Sequence, residues 1–345
     1  MVNELLEVGK AKVMIIGDQD SGKSGLTLYL SNKLILSGRR TAIIDTDIGQ
    51  SDVGPPTTIG LSLPGKPLAD YGLLPLTDAY FVGDKSPAGH LLPMVVGTKE
   101  MVDEALSFEV DFALVNTTGL IRGGLALALK RFKFEAVKPE MVIGLQRDEE
   151  IEHILRLFEE SCEVIRVEVP IAVRAKSRGE RVRFRRIKLA SYLRGAKKKE
   201  IDLGRVKVLN GLYGTEVFDA GLASHLKSVF GREPDAMLYD GEVLTAFFER
   251  LSSRRGVNLF PYEPYGEVRV VDLSHYKGLL LALYDRDDRF LGLGVLERLD
   301  LKGSKLVLRT NVDRLGDLAS VHLGYILLDE ELNERGRVRP GSGLV

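Results

Sequence analysis

The chain of 345 residues has no tryptophan, one cysteine, three glutamines and seven asparagines. The lone Cys162 excludes a disulfide framework within the chain, which points to a reducing, cytoplasmic setting and to a core role for that thiol. No run of about 18 apolar residues occurs, so no membrane-spanning helix is expected. The opening MVNELLEVGKAK lacks the long apolar core of a secretory signal. Scarce amides beside 28% charged residues point toward a thermophile. A net charge of −1 excludes attraction of the whole surface to nucleic acid, so any such attraction needs a local patch. His153, His225, His275 and His322 are scattered without metal-ligand spacing.

With 44% apolar residues, the chain can bury a large core in two or three domains. AKVMIIG, RTAIID, DFALVN, MVIGLQ and VIRVEV read as short buried strands. SGLTLYLSNKLILSG, KEMVDEALSF and DEEIEHILRLFEES read as the helices between them. Such alternation indicates a mostly parallel, doubly wound sheet covered on both faces. Residues 174–199 then hold twelve Lys or Arg and one acid, Glu180. Beyond residue 203, RVKVLNG, GLLLALYD, FLGLGVLERLD and KLVLRTN read as strands, with DRDD as a hairpin turn. AGLASHLKSVFG and EVLTAFFERLSS read as helices, and FPYEPYGE as a packing loop. The expected organisation is an α/β P-loop NTPase domain over 1–200, with a basic lid at about 174–199, and a smaller, mostly antiparallel β-rich domain over 201–345.

Gly17-Asp18-Gln19-Asp20-Ser21-Gly22-Lys23-Ser24 matches G-x-x-x-x-G-K-[ST] in full, with a strand before it and an amphipathic helix opening at Gly25. The glycines let the loop curl so that successive backbone N–H groups, reinforced by the helix N-terminus, face phosphate oxygens. Lys23 can reach the β- and γ-phosphates, and the Ser24 hydroxyl can ligate Mg²⁺. The expected ligand is therefore Mg²⁺ with ATP or another nucleoside triphosphate. No guanine-reading N-K-x-D stretch occurs, which lowers the weight of a GTP switch.

A second stretch, DTDIGQSD (45–52), follows the next strand. In doubly wound sheets, ligands bind at the carboxyl ends of the strands. Asp45 and Asp47, two apart, can both point into that cleft. One can hold the metal through water, the other can accept a proton from an attacking hydroxyl, and Gln50 can hydrogen-bond the acceptor. The competing reading makes one aspartate a cap of the next turn.

GDQDSGKS followed at this distance by DTDIGQ resembles the polynucleotide 5′-hydroxyl kinases of RNA processing. FVGDKSPAGH (81–90) resembles that family's Ser-Pro loop, VNTTGLIRGG (115–124) its N-T-x-G stretch, and SRGERVRFRRIKLASYLRG (177–195) its arginine lid. The resemblance covers residues 12–195 and implies transfer of a γ-phosphate to the 5′-OH of RNA or DNA. It implies that Lys23 grips phosphate, that Ser24 ligates the metal, and that Asp47 is the general base, which leaves Asp45 as the aspartate that holds the metal through water. It further implies that Arg181 and Arg185 are lid arginines, four residues apart. Gln50, His90, Thr117, Thr118 and Arg122 fall in stretches that serve the acceptor strand. RNA-processing proteins are implied partners. Two departures stand out. Leu120 occupies the place where the family often carries a base-stacking tryptophan, and the family's N-terminal β domain, present in eukaryotic members, is not expected here.

The basic run also reads as an ordinary solvated helix. Against that, Arg181 and Arg185 share one helical face, and Lys197–Lys199 suit salt-sensitive contacts to nucleic-acid phosphates. Two rival functions remain open at this level: a nucleotide-locked assembly subunit without turnover, and a small-molecule kinase.

Overall fold

The structure is a computed structural model that describes residues 2–251, 259–313 and 315–339. The chain divides into two compact units after Lys188. Residue 200, where the sequence pattern puts the boundary, lies within a strand, Lys197–Asp202, of the second unit.

In the first unit the order is α1 (Val2–Val8), β1 (Ala11–Gly17), α2 (Lys23–Leu36), β2 (Thr41–Asp45), β3 (Thr58–Ser62), β4 (Asp78–Phe81), α3 (Leu91–Ser107), β5 (Phe112–Asn116), α4 (Gly123–Val137), β6 (Met141–Gln146), α5 (Glu152–Leu155), β7 (Glu163–Glu168) and α6 (Arg178–Tyr192), a helix that runs across the division at 188. One sheet runs β4-β3-β2-β5-β1-β6-β7. Its β2-β5-β1-β6-β7 portion is parallel, and β3 and β4 add an antiparallel edge. The central strands are apolar at nearly every position because both faces are covered. On β1, Val13 and Ile15 pack with Leu5 of α1 and Leu30 and Leu34 of α2. Met14 and Ile16 pack on the other face with Ile154, Leu155 and Phe158.

The register brings the strand ends that matter to one edge. Ile15 pairs with Asn116, and Asn116 with Asp45, so the loops after β1, β2 and β5 emerge side by side. The helix expected over 148–161 shortens to α5 followed by turns.

The second unit holds two sheets and α7 (Ala220–Phe230). Its strands are β8 (Lys197–Asp202), β9 (Lys207–Leu209), β10 (Thr215–Glu216), β11 (Ala236–Tyr239), β12 (Val243–Phe248), β13 (Leu259–Pro261), β14 (Glu267–Asp272), β15 (Leu279–Asp285), β16 (Phe290–Asp300), β17 (Lys305–Thr310), β18 (Leu318–Leu328) and β19 (Glu334–Arg337). The sheets run β10-β11-β12-β14-β13 and β19-β18-β15-β16-β17-β8, with β9 beside β18. Pairing is antiparallel except at β12–β14 and β9–β18. The helix expected over EVLTAFFERLSS is corrected: its described part contains β12, buried at every position after Val243 and paired on both edges. A run of six apolar or β-branched residues sandwiched between layers loses its period and cannot be told from a helix turn by pattern alone.

Candidate active site

The loop 18–22 joins β1 to α2 as its motif requires, with Lys23, Ser24 and Gly25 in the first turn of the helix. Gly22 adopts φ 90°, a backbone conformation that disfavours any side chain. Lys23 Nζ bridges the loop by donating to the Asp18 carbonyl at 2.6 Å. Burial holds its pKa below the ordinary lysine value, against the pull of Asp47, Asp18, Asp20 and Asp45. Asn116 Nδ2 donates to Ser24 Oγ at 3.3 Å, and Tyr71 Oη donates to the Ser24 carbonyl.

The two aspartates of the second stretch behave differently. Asp45 turns inward and is fully buried. Its Oδ1 accepts from the Asp47 amide at 3.1 Å and from Asn116 Nδ2 at 3.1 Å. Its Oδ2 accepts from the Asp52 and Val53 amides at 2.6 and 3.1 Å. Four donors occupy all four of its acceptor positions. With those positions filled, Asp45 organises the loop, and a metal role for it runs through water, as expected. Burial first, then repulsion from Asp52 and Asp47, pushes its pKa up to about 7.

Asp47 caps the turn that follows, with Oδ1 accepting from the Gly49 and Gln50 amides, each at 3.2 Å. It also lines two cavities. The narrower, about 170 Å³, is walled by the phosphate loop, Asp52, Asn116, Val173, Arg174 and Lys176. The wider, about 470 Å³, is walled by Gln19, Gln50, Lys85–Ala88, Thr118–Leu120, Arg122–Leu125, Arg181 and Arg185. Capping and cavity roles therefore coexist in one side chain.

Of the expected acceptor residues, Gln50, Thr118 and Arg122 line the wider cavity. Gln50 Oε1 is buried without a hydrogen-bond partner among the described residues, so an acceptor atom stands ready at the cavity wall. His90 and Thr117 line neither of these two cavities. His90 Nε2 lies 2.9 Å from the buried Asp84 Oδ2, beneath the Ser-Pro loop. Thr117 Oγ1 donates inward to the Ile15 carbonyl at 2.7 Å. The phosphate and N-T-T-G loops are close-set, and a Cβ on Gly119 would lie 2.6 Å from the Gln19 Cα and N. Only glycine lets the β5 loop run against the phosphate loop.

The lid helix α6 opens with a capping box. Ser177 Oγ accepts from the Glu180 amide at 3.2 Å, and Glu180 Oε2 accepts from the Ser177 amide at 2.7 Å. Arg181 and Arg185, one turn apart, both reach the wider cavity. Arg181 Nη2 donates to Asp20 Oδ2 of the phosphate loop at 2.6 Å, and the Lys176 amide donates to the same oxygen at 3.0 Å. Arg181 Nε is buried without a partner among the described residues. Arg185 Nη1 donates to the Gly49 carbonyl at 3.5 Å.

Sequence reasoning missed three residues here. Asp52 lines the narrower cavity together with Ser24, and burial raises its pKa. It lies inside the quoted acidic stretch, where the D-x-D pair drew attention away from it. Asn116, first residue of N-T-T-G, links Ser24 to Asp45. Lys188 Nζ ties the lid to the Asp52 carbonyl at 2.6 Å. Among the described residues, no helix is long and apolar enough to cross a membrane.

Residues 17–195 match the family described as mRNA cleavage and polyadenylation factor CLP1 P-loop. A polyribonucleotide 5′-hydroxyl-kinase of Pyrococcus abyssi is 34% identical over 329 residues, covering 94% of this chain and 90% of its own. One of Methanocaldococcus jannaschii is 30% identical over 332 residues, covering 94% and 89%. A chain in the solved wild-type Clp1p–Pcf11p (454–563) complex has the same fold, with TM-score 0.61 at 13% identity, covering 94% of this chain and 77% of that one. The matched span takes in the phosphate loop, both cavity walls and the lid, and with relatives alike over nearly the whole length this chain belongs to the CLP1 P-loop family.

Proposed function

We propose that the protein is a polynucleotide 5′-hydroxyl kinase, transferring the γ-phosphate of ATP or another nucleoside triphosphate to the 5′-OH end of an RNA or DNA strand. One observation carries this reading: Asp47, with Gln19 and Gln50, lines both the phosphate cavity and the wider cavity beside it. A carboxylate shared by two adjoining cavities suits a base between donor and acceptor. The names of the archaeal relatives favour RNA as acceptor.

The triphosphate lies on the backbone amides of 17–24, with Lys23 leaving the Asp18 carbonyl for phosphate oxygens. The strand's terminal hydroxyl enters the wider cavity, where Gln50, Thr118 and Arg122 hold its neighbourhood. Asp47 takes the hydroxyl proton as the oxygen attacks the γ-phosphorus, and the bond from that phosphorus to the β–γ bridging oxygen breaks, releasing the nucleoside diphosphate. Arg181, released from Asp20, and Arg185 offset charge on the phosphoryl oxygens. The donor set fits Mg²⁺: Ser24 Oγ and the Asp52 carboxylate adjoin, and Asn116 Oδ1 is buried with no partner among the described residues. Once bound, Mg²⁺ would neutralise phosphate charge.

The test is transfer of label from the γ-phosphate to a 5′-OH oligoribonucleotide. Asp47→Asn is expected to lower kcat by roughly 10²–10⁴-fold, the range for a lost general base, with nucleotide binding retained. Wild-type activity in that variant removes Asp47 from the reaction. Nucleotide binding without any transfer by the wild-type chain favours the non-catalytic assembly subunit. Equal transfer to a free nucleoside favours a small-molecule kinase.

A further inference from the structure

Helix α4 buries Ala126, Leu129, Lys130, Lys133 and Val137, a spacing of i, i+3, i+4, i+7 and i+11. That is the stripe a helix turns to its core, and two of its members are lysines. Both are fully buried, and among the described residues neither forms an ion pair. An ammonium group shut away from water without an anion is a heavy cost to a fold. An unbranched apolar side chain would fill the same space without it. What the two lysines do instead is visible in their contacts.

Lys130 Nζ donates to Thr117 Oγ1 at 2.8 Å and to the Thr118 carbonyl at 2.6 Å. Thr117 Oγ1 passes its own hydrogen to the Ile15 carbonyl on β1. Lys133 Nζ donates to Thr46 Oγ1 at 2.7 Å. Thr46 lies between Asp45 and Asp47, and its hydroxyl and amide both donate to the Asn116 carbonyl, at 3.0 and 2.9 Å. One helix thus grips, from below, the loop that presents Asp47 and the loop that presents Thr118.

We infer that Lys130 and Lys133 are positioning residues for phosphoryl transfer, Lys133 setting the Asp47 turn through Thr46 and Lys130 setting the Thr118 wall of the acceptor cavity through Thr117. Neither lysine lines either of the two cavities of the site, so both act through the threonines. In-line transfer is sensitive to such support, since a misplacement of about 1 Å can cost on the order of 10²-fold in rate. The inference rests on the kinase reading of the same site.

The experiment compares the full chain with K130M, K133M, T46V, T117V and the double variant K133M/T46V. It measures kcat and KM in transfer from labelled ATP to a 5′-OH oligoribonucleotide, together with melting temperature. Each lysine variant is expected to lose at least 30-fold in kcat, keep KM for ATP within threefold, and melt no lower than wild type. T46V is expected to reproduce the K133M loss, and the double variant to be no worse than either single one, because both remove the same link. Wild-type kcat in K130M and K133M overturns the inference while leaving the kinase reading in place. So does a multiplicative loss in the double variant, or a fall of kcat, ATP affinity and melting temperature together. A wild-type chain that transfers no phosphate to the oligonucleotide overturns both readings.

Discussion

At the scale of single residues, the acceptor cavity is shaped as much by what Leu120 is not as by what surrounds it. Leu120 lines the wider cavity beside Thr118 and Arg122, in the position where the related kinases often carry tryptophan. An aliphatic side chain offers contact area but no π-face for a base. Stacking on an aromatic residue is worth about 1–3 kcal/mol per base, which is roughly 5- to 150-fold in affinity. Leu120→Trp is therefore expected to lower KM for a 5′-OH oligonucleotide by at least fivefold while leaving KM for ATP unchanged. Steady-state kinetics with both substrates checks it, and an unchanged oligonucleotide KM would place the terminal base elsewhere. The contrast between Asp45 and Asp47 belongs to the same scale. Two carboxylates of one D-x-D stretch look equivalent in the sequence. Four N–H donors make the first a structural hub, whereas the second keeps an edge on both cavities. Nothing in residue spacing separates them, because the difference lies in backbone amides of the loop that folds over Asp45.

Elements that carry a periodic or motif signal were legible. β1, α2, β2, β5 and β6 follow from short apolar runs and the glycine-rich loop, and their shared carboxyl edge follows from parallel pairing. The lid helix was legible from its arginine spacing. The edge strands β3 and β4 were not, since they lie in a stretch rich in Pro and Gly and pair antiparallel outside the alternating pattern. Helix α4 was hidden for a physical reason: lysines at 130 and 133 in its buried stripe erase the amphipathic contrast that marks a helix. β12 failed the opposite way, burial on both faces leaving no period to read. The close approach of loops between elements was equally invisible, and it is testable. Gly119→Ala places a methyl group 2.6 Å from the Gln19 backbone, so the β5 loop and the phosphate loop must separate. Overpacking of this kind costs about 1–3 kcal/mol. Part of that loss is expected as weaker ATP binding, readable in a nucleotide titration, together with a lower melting temperature. An alanine variant that binds ATP like wild type would show that the two loops do not depend on one another.

At the scale of the whole molecule, the buried charges of the site make stability depend on pH in a way an apolar core would not. Burial lowers the pKa of Lys133 to about 7 and that of Lys130 well below the lysine value, in the company of Asp45, Asp47 and Lys23. Between pH 7 and 10.5 the unfolded chain keeps the Lys133 proton that the folded chain has given up. Stability therefore rises with pH across that window and is lost as pH falls through 7. Asp45 runs the other way: its folded pKa of about 7 lies above the ordinary 3.8, so its contribution is present at low pH and fades as pH rises toward 7. The two slopes meet near neutrality, where the polar layer beneath the site contributes least to stability. Lys133→Met removes one of the titrating lysines. Its unfolding free energy is expected to rise less steeply than wild type between pH 7 and 10, the difference amounting to at most about 1.4 kcal/mol per pH unit for one proton. Denaturant unfolding of both chains at several pH values measures this directly, and the second unit, common to both, cancels in the comparison. Parallel curves for the two chains would mean that Lys133 holds its proton in the folded state. The ammonium form would then be what Thr46 and the two aspartates accommodate at every pH where the enzyme works.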